Sequence, residues 1–269
     1  MAITPAQFRL DGRVAVITGG GAGIGRGIAE GLAAFGASVA IWERDEQVCA
    51  ATAAALPVLG IVADVRYSAQ VDAALAQTVA ELGTPSILVN NAGGTFFSPL
   101  LETSENGWDA LYRANLRHVL LCTQRVSRAM VDAELGGSVI NVTSIEGARA
   151  APGYAAYAAA KAGVINYTQT AALELAAHGI RVNALAPDIT LTEGLAALAD
   201  GADAGTRFAQ IVPLGRPGHV DDLAGAAVFL ASELAGYLTG QTLHVDGGTH
   251  AAGGWYHPPG STGYVYGPN

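Results

Sequence analysis

The chain has 269 residues, 51% of them apolar, and a formal net charge of −9. That length and composition suit an α/β protein with a large core. The acidic balance lacks a basic stripe or an arginine-rich segment, which excludes the usual phosphate-binding footprint of a nucleic-acid protein. Cys49 and Cys122 are the only cysteines, without metal spacing, so no disulfide scaffold is expected. His118, His178, His219, His244, His250 and His257 show no HxxxH or HExxH pairing and read as surface or packing residues; no metal site is expected. The opening MAITPAQFRLDGR has neither a charged n-region nor an apolar h-region, and no apolar run is long enough to cross a bilayer. A cytoplasmic protein without membrane partners is the expectation.

Short apolar runs alternate with helical patterns along the chain. RVAVIT (13–18) reads as the first strand, followed by a glycine-rich turn and a helix to about 35. SVAIW (38–42) precedes a helix at 46–55, VLGIV (58–62) a helix near 68–82, and SILVN (86–90) a long helix near 105–132. GSVINVT (137–143) leads to a helix at about 154–177, then IRVNALAP (180–187), an irregular stretch at 188–218, a helix near 220–232 and TLHVDGG (242–248). Continuous Val/Ile/Leu runs suit strands covered on both faces. Their alternation with helices predicts right-handed crossovers and a parallel sheet in one doubly wound α/β domain over 1–248. The tail, 249–269, is rich in Gly, Pro and aromatics and shows no periodic pattern.

The turn after the first strand reads TGGGAGIG. Gly19, Gly23 and Gly25 follow a strand and open a helix, with Ile24 between the last two. Backbone amides at such a helix N-terminus can face a pyrophosphate, and absent Cβ atoms let it approach, so a dinucleotide site is expected here. Glu43 stands at the end of the second strand, about 20 residues on, where a carboxylate can bind the adenosine ribose hydroxyls and repel a 2′-phosphate. That favours NAD over NADP. Arg44 follows and could instead attract a phosphate.

The stretch YAAYAAAK (154–161) holds two phenols and one cation. Tyr157 and Lys161 are four residues apart and share a helix face, whereas Tyr154 lies about 10 Å from Lys161 along the axis. A free phenol titrates near 10, and a nearby ammonium favours its phenolate, so Tyr157 is the expected acid/base and Lys161 is expected to lower its pKa. Ser144 lies thirteen residues earlier at the end of the fifth strand, NNAG (90–93) ends the fourth, and Asn115 falls within the following helix. Ligands bind at such carboxyl ends in parallel sheets.

TGGGAGIG, Asp64-Val65, NNAG, Asn115, Ser144, Tyr157 with Lys161, and Pro187 to Thr192 occur together and in order. In this the chain resembles the classical short-chain dehydrogenase/reductase family over about residues 10–248. The resemblance implies a Rossmann-like domain with a seven-stranded parallel sheet. It implies Tyr157 as the acid/base, Ser144 as a donor to the substrate oxygen, Lys161 on the nicotinamide ribose, and Asn115 holding a water that links Lys161 to solvent. It also implies Asp64 at the adenine amine with Val65 beside it, and Asn91, Ala92 and Gly93 along the adenosine ribose and inner wall. Pro187, Thr190 and Thr192 are implied near the carboxamide, and a homotetramer buries the long helices between subunits.

The chain departs from the pattern at Asp188, where glycine is usual and an unusual dihedral is expected, and at Thr190, where Val or Ile is common. Glu146 takes a place that often holds a small residue; it faces either the substrate or solvent. The segment 188–218 is expected to form a substrate lid. Leu191, Leu195, Leu198 and Phe208, with Phe96, Phe97 and Tyr154 as aromatic walls, suggest an apolar pocket. The tail is expected to cap an active site, its own or that of a partner subunit. The leading reading is an NAD-dependent interconversion of a secondary alcohol and a ketone. The alternatives are a 3-oxoacyl-carrier-protein reductase, disfavoured by the acidic VDAELGG (131–137) and by Ala22 where NADP-using relatives often carry Arg, and a dinucleotide sensor without catalysis.

Overall fold

The structure, a computed structural model, describes residues 2–194, 204–258, 260–261 and 263–266, with only the backbone of 204–207. Strand β1 (Val14–Thr18) is buried along its whole length, because its Val/Ile run is covered on both faces. β1 pairs in parallel with β2 (Ser38–Glu43) on one side and with β4 (Ile87–Asn90) on the other. With β3 (Val58–Val62), β5 (Gly137–Val142), β6 (Ile180–Pro187) and β9 (Thr242–Val245) they make a seven-stranded sheet in the order β3-β2-β1-β4-β5-β6-β9. Each sheet pairing is parallel. The order reverses between β1 and β4, and a crevice opens at the carboxyl ends of strands that diverge in this way. This is the doubly wound sheet that the strand-helix alternation predicts.

Helices cover both faces. On one, α1 (Gly23–Ala34) packs against α8 (Val220–Ala231), and Ile28, Leu32, Leu223 and Val228 meet Ile17, Ile41 and Leu185. On the other, α3 (Ser68–Leu82), α5 (His118–Asp132) and α6 (Ala155–Leu175) bring Val71, Val126, Met130 and Ala171 onto Val16, Trp42, Leu88 and Val182. Each fully buried aliphatic side chain contributes about 1.5–3 kcal/mol. The indole of Trp42 keeps its polar atom satisfied by donating to Thr78 Oγ1 at 3.1 Å. α2 (Glu46–Ala55) begins at Asp45, whose carboxylate accepts from the amides of Gln47 and Val48.

Three places differ from the periodicity. The helix expected over 105–132 is α4 (Glu105–Tyr112) and α5 joined by a π-helical turn, Arg113–Arg117. The stretch at 188–218 contains β7 (Thr190–Leu191), paired with β8 (Gly218–His219), and α7 (Ala204–Ile211). The tail holds α9 (Thr249–Ala252) and an antiparallel hairpin, β10 (Trp255–Tyr256) with β11 (Val265–Tyr266), closed by edge-on packing of Trp255 and Tyr266 at 5.5 Å. The hairpin does not run free: the amide of His257 donates to the carbonyl of Gln210 in α7, 3.3 Å away. No described helix is long and apolar enough to cross a membrane.

Candidate active site

The carboxyl ends of β1, β2, β4, β5 and β6 open into a cleft of about 520 Å³. Gly19 and Gly23 turn the chain with positive φ (61° and 52°), a region L side chains rarely enter. Gly25 is required by proximity: a Cβ there would stand 2.2 Å from the Gly19 carbonyl oxygen and 2.4 Å from Asn91 Nδ2. Asn91 in turn donates to the carbonyls of Thr18 and Gly19, while Thr18 Oγ1 accepts from the amides of Asn91 and Ala92 at 3.0 Å each. The glycine turn and the NNAG loop are thus one hydrogen-bonded unit. Thr18, which opens the TGGGAGIG run but to which the sequence assigned no role, joins the two loops.

The amide of Gly23 donates to Glu193 Oε2 at 3.2 Å, so the N-terminus of α1 already holds an anion from the neighbouring segment. Amide donors, the missing Cβ at Gly25 and a cleft of this length fit a dinucleotide with its pyrophosphate at α1. Ile24, Glu43, Asp64, Val65, Asn91, Ala92, Gly93, Pro187 and Thr192 line the cleft with Gly19 and Gly23. Glu43 is fixed by the backbone, its two oxygens accepting from the amides of Gly21 (3.3 Å) and Asp45 (3.1 Å). The Asp64 carboxylate is clasped by Arg66, whose Nε lies 2.9 and 3.1 Å from its two oxygens, and that bond holds it below the usual carboxylate range. Arg66 was not foreseen, although its place two residues after Asp64 is a signal.

At the other end of the cleft, Asn115 sits in the π-helical turn with its side chain fully buried. Its Nδ2 donates to the carbonyls of Gly94 (2.8 Å) and Leu111 (3.0 Å), and its Oδ1 accepts from the amide of Gly94 (3.2 Å). The turn therefore aims one amide at the loop after β4. Lys161 is also buried; its Nζ donates to the Val142 carbonyl at 2.9 Å and lies 5.7 Å from the centre of the Tyr157 ring. Burial pulls its ammonium down to about 8. The phenol of Tyr157 lies above its ordinary value: desolvation raises it, the hydrogen bond with Ser144 lowers it, and the Glu146 carboxylate raises it. This differs from the sequence expectation that Lys161 would lower it. In the chain alone burial sets the direction, and the Lys161 ammonium spends one of its three donors on the Val142 carbonyl. His118, read from sequence as ordinary packing, is buried beside Lys161 and Ala92, and desolvation pushes its imidazole down to about 3, keeping it neutral.

Ser144 meets Tyr157 because the short turn Ile145–Gly147 abuts α6. A Cβ on Gly147 would sit 2.8 Å from the Lys161 backbone carbon, so glycine alone permits this approach. Ser144 Oγ accepts from the amide of Glu146 at 3.1 Å.

Other expected residues are placed differently. Thr190 is buried in β7, outside the cleft walls, with its hydroxyl donating to the Asp188 carbonyl at 3.3 Å. Asp188 needs no unusual dihedral: among described non-glycine residues only Glu134 has positive φ. Its side chain is engaged by Arg149 and Thr249 instead. Tyr154 caps α6 and packs edge-on against Phe97 at 5.7 Å, while Phe96 is about half exposed; none of the three lines the cleft. Phe208 is buried. Leu195 and Leu198 lie outside the described residues.

A family model described as enoyl-(acyl carrier protein) reductase matches residues 19–250. The chain is 39% identical over 256 residues to the sorbitol dehydrogenase of Cereibacter sphaeroides, covering 90% of this chain and 98% of that one. It is 40% identical over 245 residues to the 3-oxoacyl-(acyl-carrier-protein) reductase of Escherichia coli K12, covering 90% and 99%. Among solved structures it superposes on a gluconate 5-dehydrogenase from Burkholderia cenocepacia J2315, in complex with NADP and tartrate, with a TM-score of 0.85 at 41% identity, covering 92% of this chain and 98% of that one. With the parallel sheet, the glycine turn, the buried Asn115 and Lys161 and the partly exposed Tyr157 in one cleft, these matches establish that the chain belongs to the classical short-chain dehydrogenase/reductase family, as an oxidoreductase.

Proposed function

We propose that the chain interconverts a secondary alcohol and a ketone, with NAD(H) as its dinucleotide. The observation that carries this reading is the hydrogen bond of Ser144 with Tyr157 beside Lys161, where Tyr157, Lys161 and Asn115 line one end of the cleft. The dinucleotide supplies hydride transfer when bound. The chain does the rest. Ser144 donates a hydrogen bond to the substrate oxygen, and Tyr157 takes the hydroxyl proton on oxidation or returns it on reduction. Lys161 holds the ribose hydroxyls and keeps a positive charge near the phenol. Asn115 fixes the Gly94 loop and opens a proton route to solvent. Gly19 and Gly23 would admit the pyrophosphate, with Gly25 letting α1 sit close behind them; Asp64 and Val65 would hold the adenine, Asn91 to Gly93 the inner wall, and Pro187 and Thr192 the carboxamide.

The choice of NAD rests on Glu43. Two backbone amides fix its carboxylate in the cleft, so a 2′-phosphate there would meet a charge that cannot swing away. Arg44 lines the same cleft and supplies the opposing pull.

One observation favours a second reading: the similarity to a 3-oxoacyl-(acyl-carrier-protein) reductase over nearly the full chain. Against it stand the acidic stretch at 131–137 and the overall charge of −9, which repel an acidic carrier. The test is a matrix of NAD+ and NADP+ against secondary alcohols, with reduced nicotinamide followed by absorbance, alongside acetoacetyl thioesters in the reductive direction. Turnover of alcohols with kcat/KM at least ~10-fold higher for NAD+ is expected, since a fixed like charge costs about 1.4 kcal/mol or more. Activity confined to the thioester, or a preference for NADP+, would reverse the assignment.

A further inference from the structure

Beside Ser144, beyond the walls of the dinucleotide cleft, the chain carries charge where an apolar pocket was expected. Glu146 is tied to Ser144 through its own amide and lies close enough to Tyr157 for its carboxylate to act on the phenol. Arg149, three residues on, places Nη2 at 2.8 Å from Glu146 Oε1 and 3.7 Å from Asp188 Oδ1. One guanidinium thus spans two carboxylates that come from β5's loop and from the end of β6. Their side chains are 25% and 11% exposed, so they reach solvent at one edge only. Asp246, after β9, adds a further negative charge near Arg149.

Three kinds of substrate meet this cluster differently. An apolar alcohol would strip water from two carboxylates and offer nothing in return, at a cost of 1–3 kcal/mol or more per group. An anionic substrate would find Arg149, the cation of this cluster among the described residues, already paired and the sum of their charges negative. A neutral chain of vicinal hydroxyls offers donors. An ionised carboxylate has about four acceptor sites; Arg149 approaches each of these two through one nitrogen, and Thr249 and the Ile189 backbone also bond Asp188, which leaves Glu146 the more open acceptor. We propose that Glu146 and Asp188, bridged by Arg149, form a hydroxyl-recognising subsite that makes a neutral polyol, or the corresponding ketose, the substrate of the Ser144–Tyr157 centre. This rests on the alcohol-ketone reading above and narrows it. Asp188, in place of the usual glycine, and Glu146, in place of a small residue, are then specificity-determining positions rather than departures without purpose.

The experiment compares kcat/KM for a panel of pentitols and hexitols, for D-gluconate, and for cyclohexanol, using the full chain with NAD+ and NADP+. The best polyol is expected to exceed both other substrates by at least ~10-fold, because a site built to bond hydroxyls rejects analogues that lack them. In Glu146→Gln and, independently, Asp188→Asn, the ratio of polyol to cyclohexanol kcat/KM is expected to fall by at least ~10-fold, since a neutral amide is a weaker acceptor. A cluster that merely braces the fold would lower both substrates together and leave the ratio unmoved. That result, or a wild-type preference for gluconate or cyclohexanol over every polyol, overturns the proposal while leaving the alcohol-ketone reading intact. Absence of turnover with all three substrate types, in a protein that binds the dinucleotide by calorimetry, overturns the alcohol-ketone reading and the polyol subsite with it.

Discussion

Lys161 shows how a residue can be found from sequence while its electrostatics cannot. Four-residue spacing singled out Tyr157 over Tyr154, and the structure keeps Lys161 Nζ 5.7 Å from that ring. What the spacing did not reveal is that Lys161 is buried, because the carbonyl of Val142 and the loop at Gly93 that close over it come from distant parts of the chain. Burial carries a consequence for stability. The ammonium titrates near 8 in the folded chain against 10.5 when exposed. Between those values the unfolded chain binds more protons, so stability rises with pH through that window, by up to about 3 kcal/mol from this group. Below pH 8 both states are protonated and the full desolvation cost remains. Urea midpoints of wild type and Lys161→Met, measured from pH 8 to 10.5, should diverge in slope, the wild type gaining stability that the variant does not. Parallel profiles would mean that the amine is solvated. The Glu146–Arg149–Asp188 cluster lay beyond sequence reading for a similar reason: Asp188 joins it only because β6 lies beside β5.

The strands and most helices were legible, because runs such as VAVI and AIW have no polar face and must be covered on both sides. The π-helical turn was not. It inserts one residue into α4–α5 without a local signature, and its justification is tertiary: it turns Asn115 toward the backbone of Gly94. The hairpin of the tail was also invisible, since two-residue strands are too short to show a period. The glycine turn was legible at Gly19, Gly23 and Gly25, yet Gly25 works differently from the pattern's first suggestion. It is absent from the cleft wall and instead lets α1 sit against the Gly19 carbonyl. Gly25→Ala should therefore destabilise the fold by about 1–3 kcal/mol through overpacking, and should weaken dinucleotide binding by displacing the α1 amides. Chemical denaturation and calorimetric titration with NAD+ check both. Unchanged affinity in the variant would separate the turn from the cleft.

Across the whole molecule, one sheet gathers groups that are far apart in sequence. The switch between β1 and β4 opens the cleft; β1 and β4 frame the end proposed above for the phosphates, and β5, α6 and the π-helical turn frame the end proposed for the acid/base. The described part of 188–218 and the tail hairpin meet at Gln210 and His257, so the two segments that the sequence left irregular pack on each other. The long helices α5 and α6 present exposed Leu120 and Leu173, and we propose that they are the faces on which four copies assemble. The central claim is that Tyr157 exchanges the proton while hydride passes between substrate and nicotinamide. The most direct test uses a secondary alcohol deuterated at the carbinol carbon, with mass analysis of the recovered nicotinamide and parallel binding measurements. The account predicts one deuterium on the nicotinamide with wild type, and for Tyr157→Phe a loss of turnover of at least ~10³-fold with dinucleotide affinity largely kept. Label appearing at a comparable rate with the phenylalanine variant, or nicotinamide reduced without label in the wild type, would contradict it.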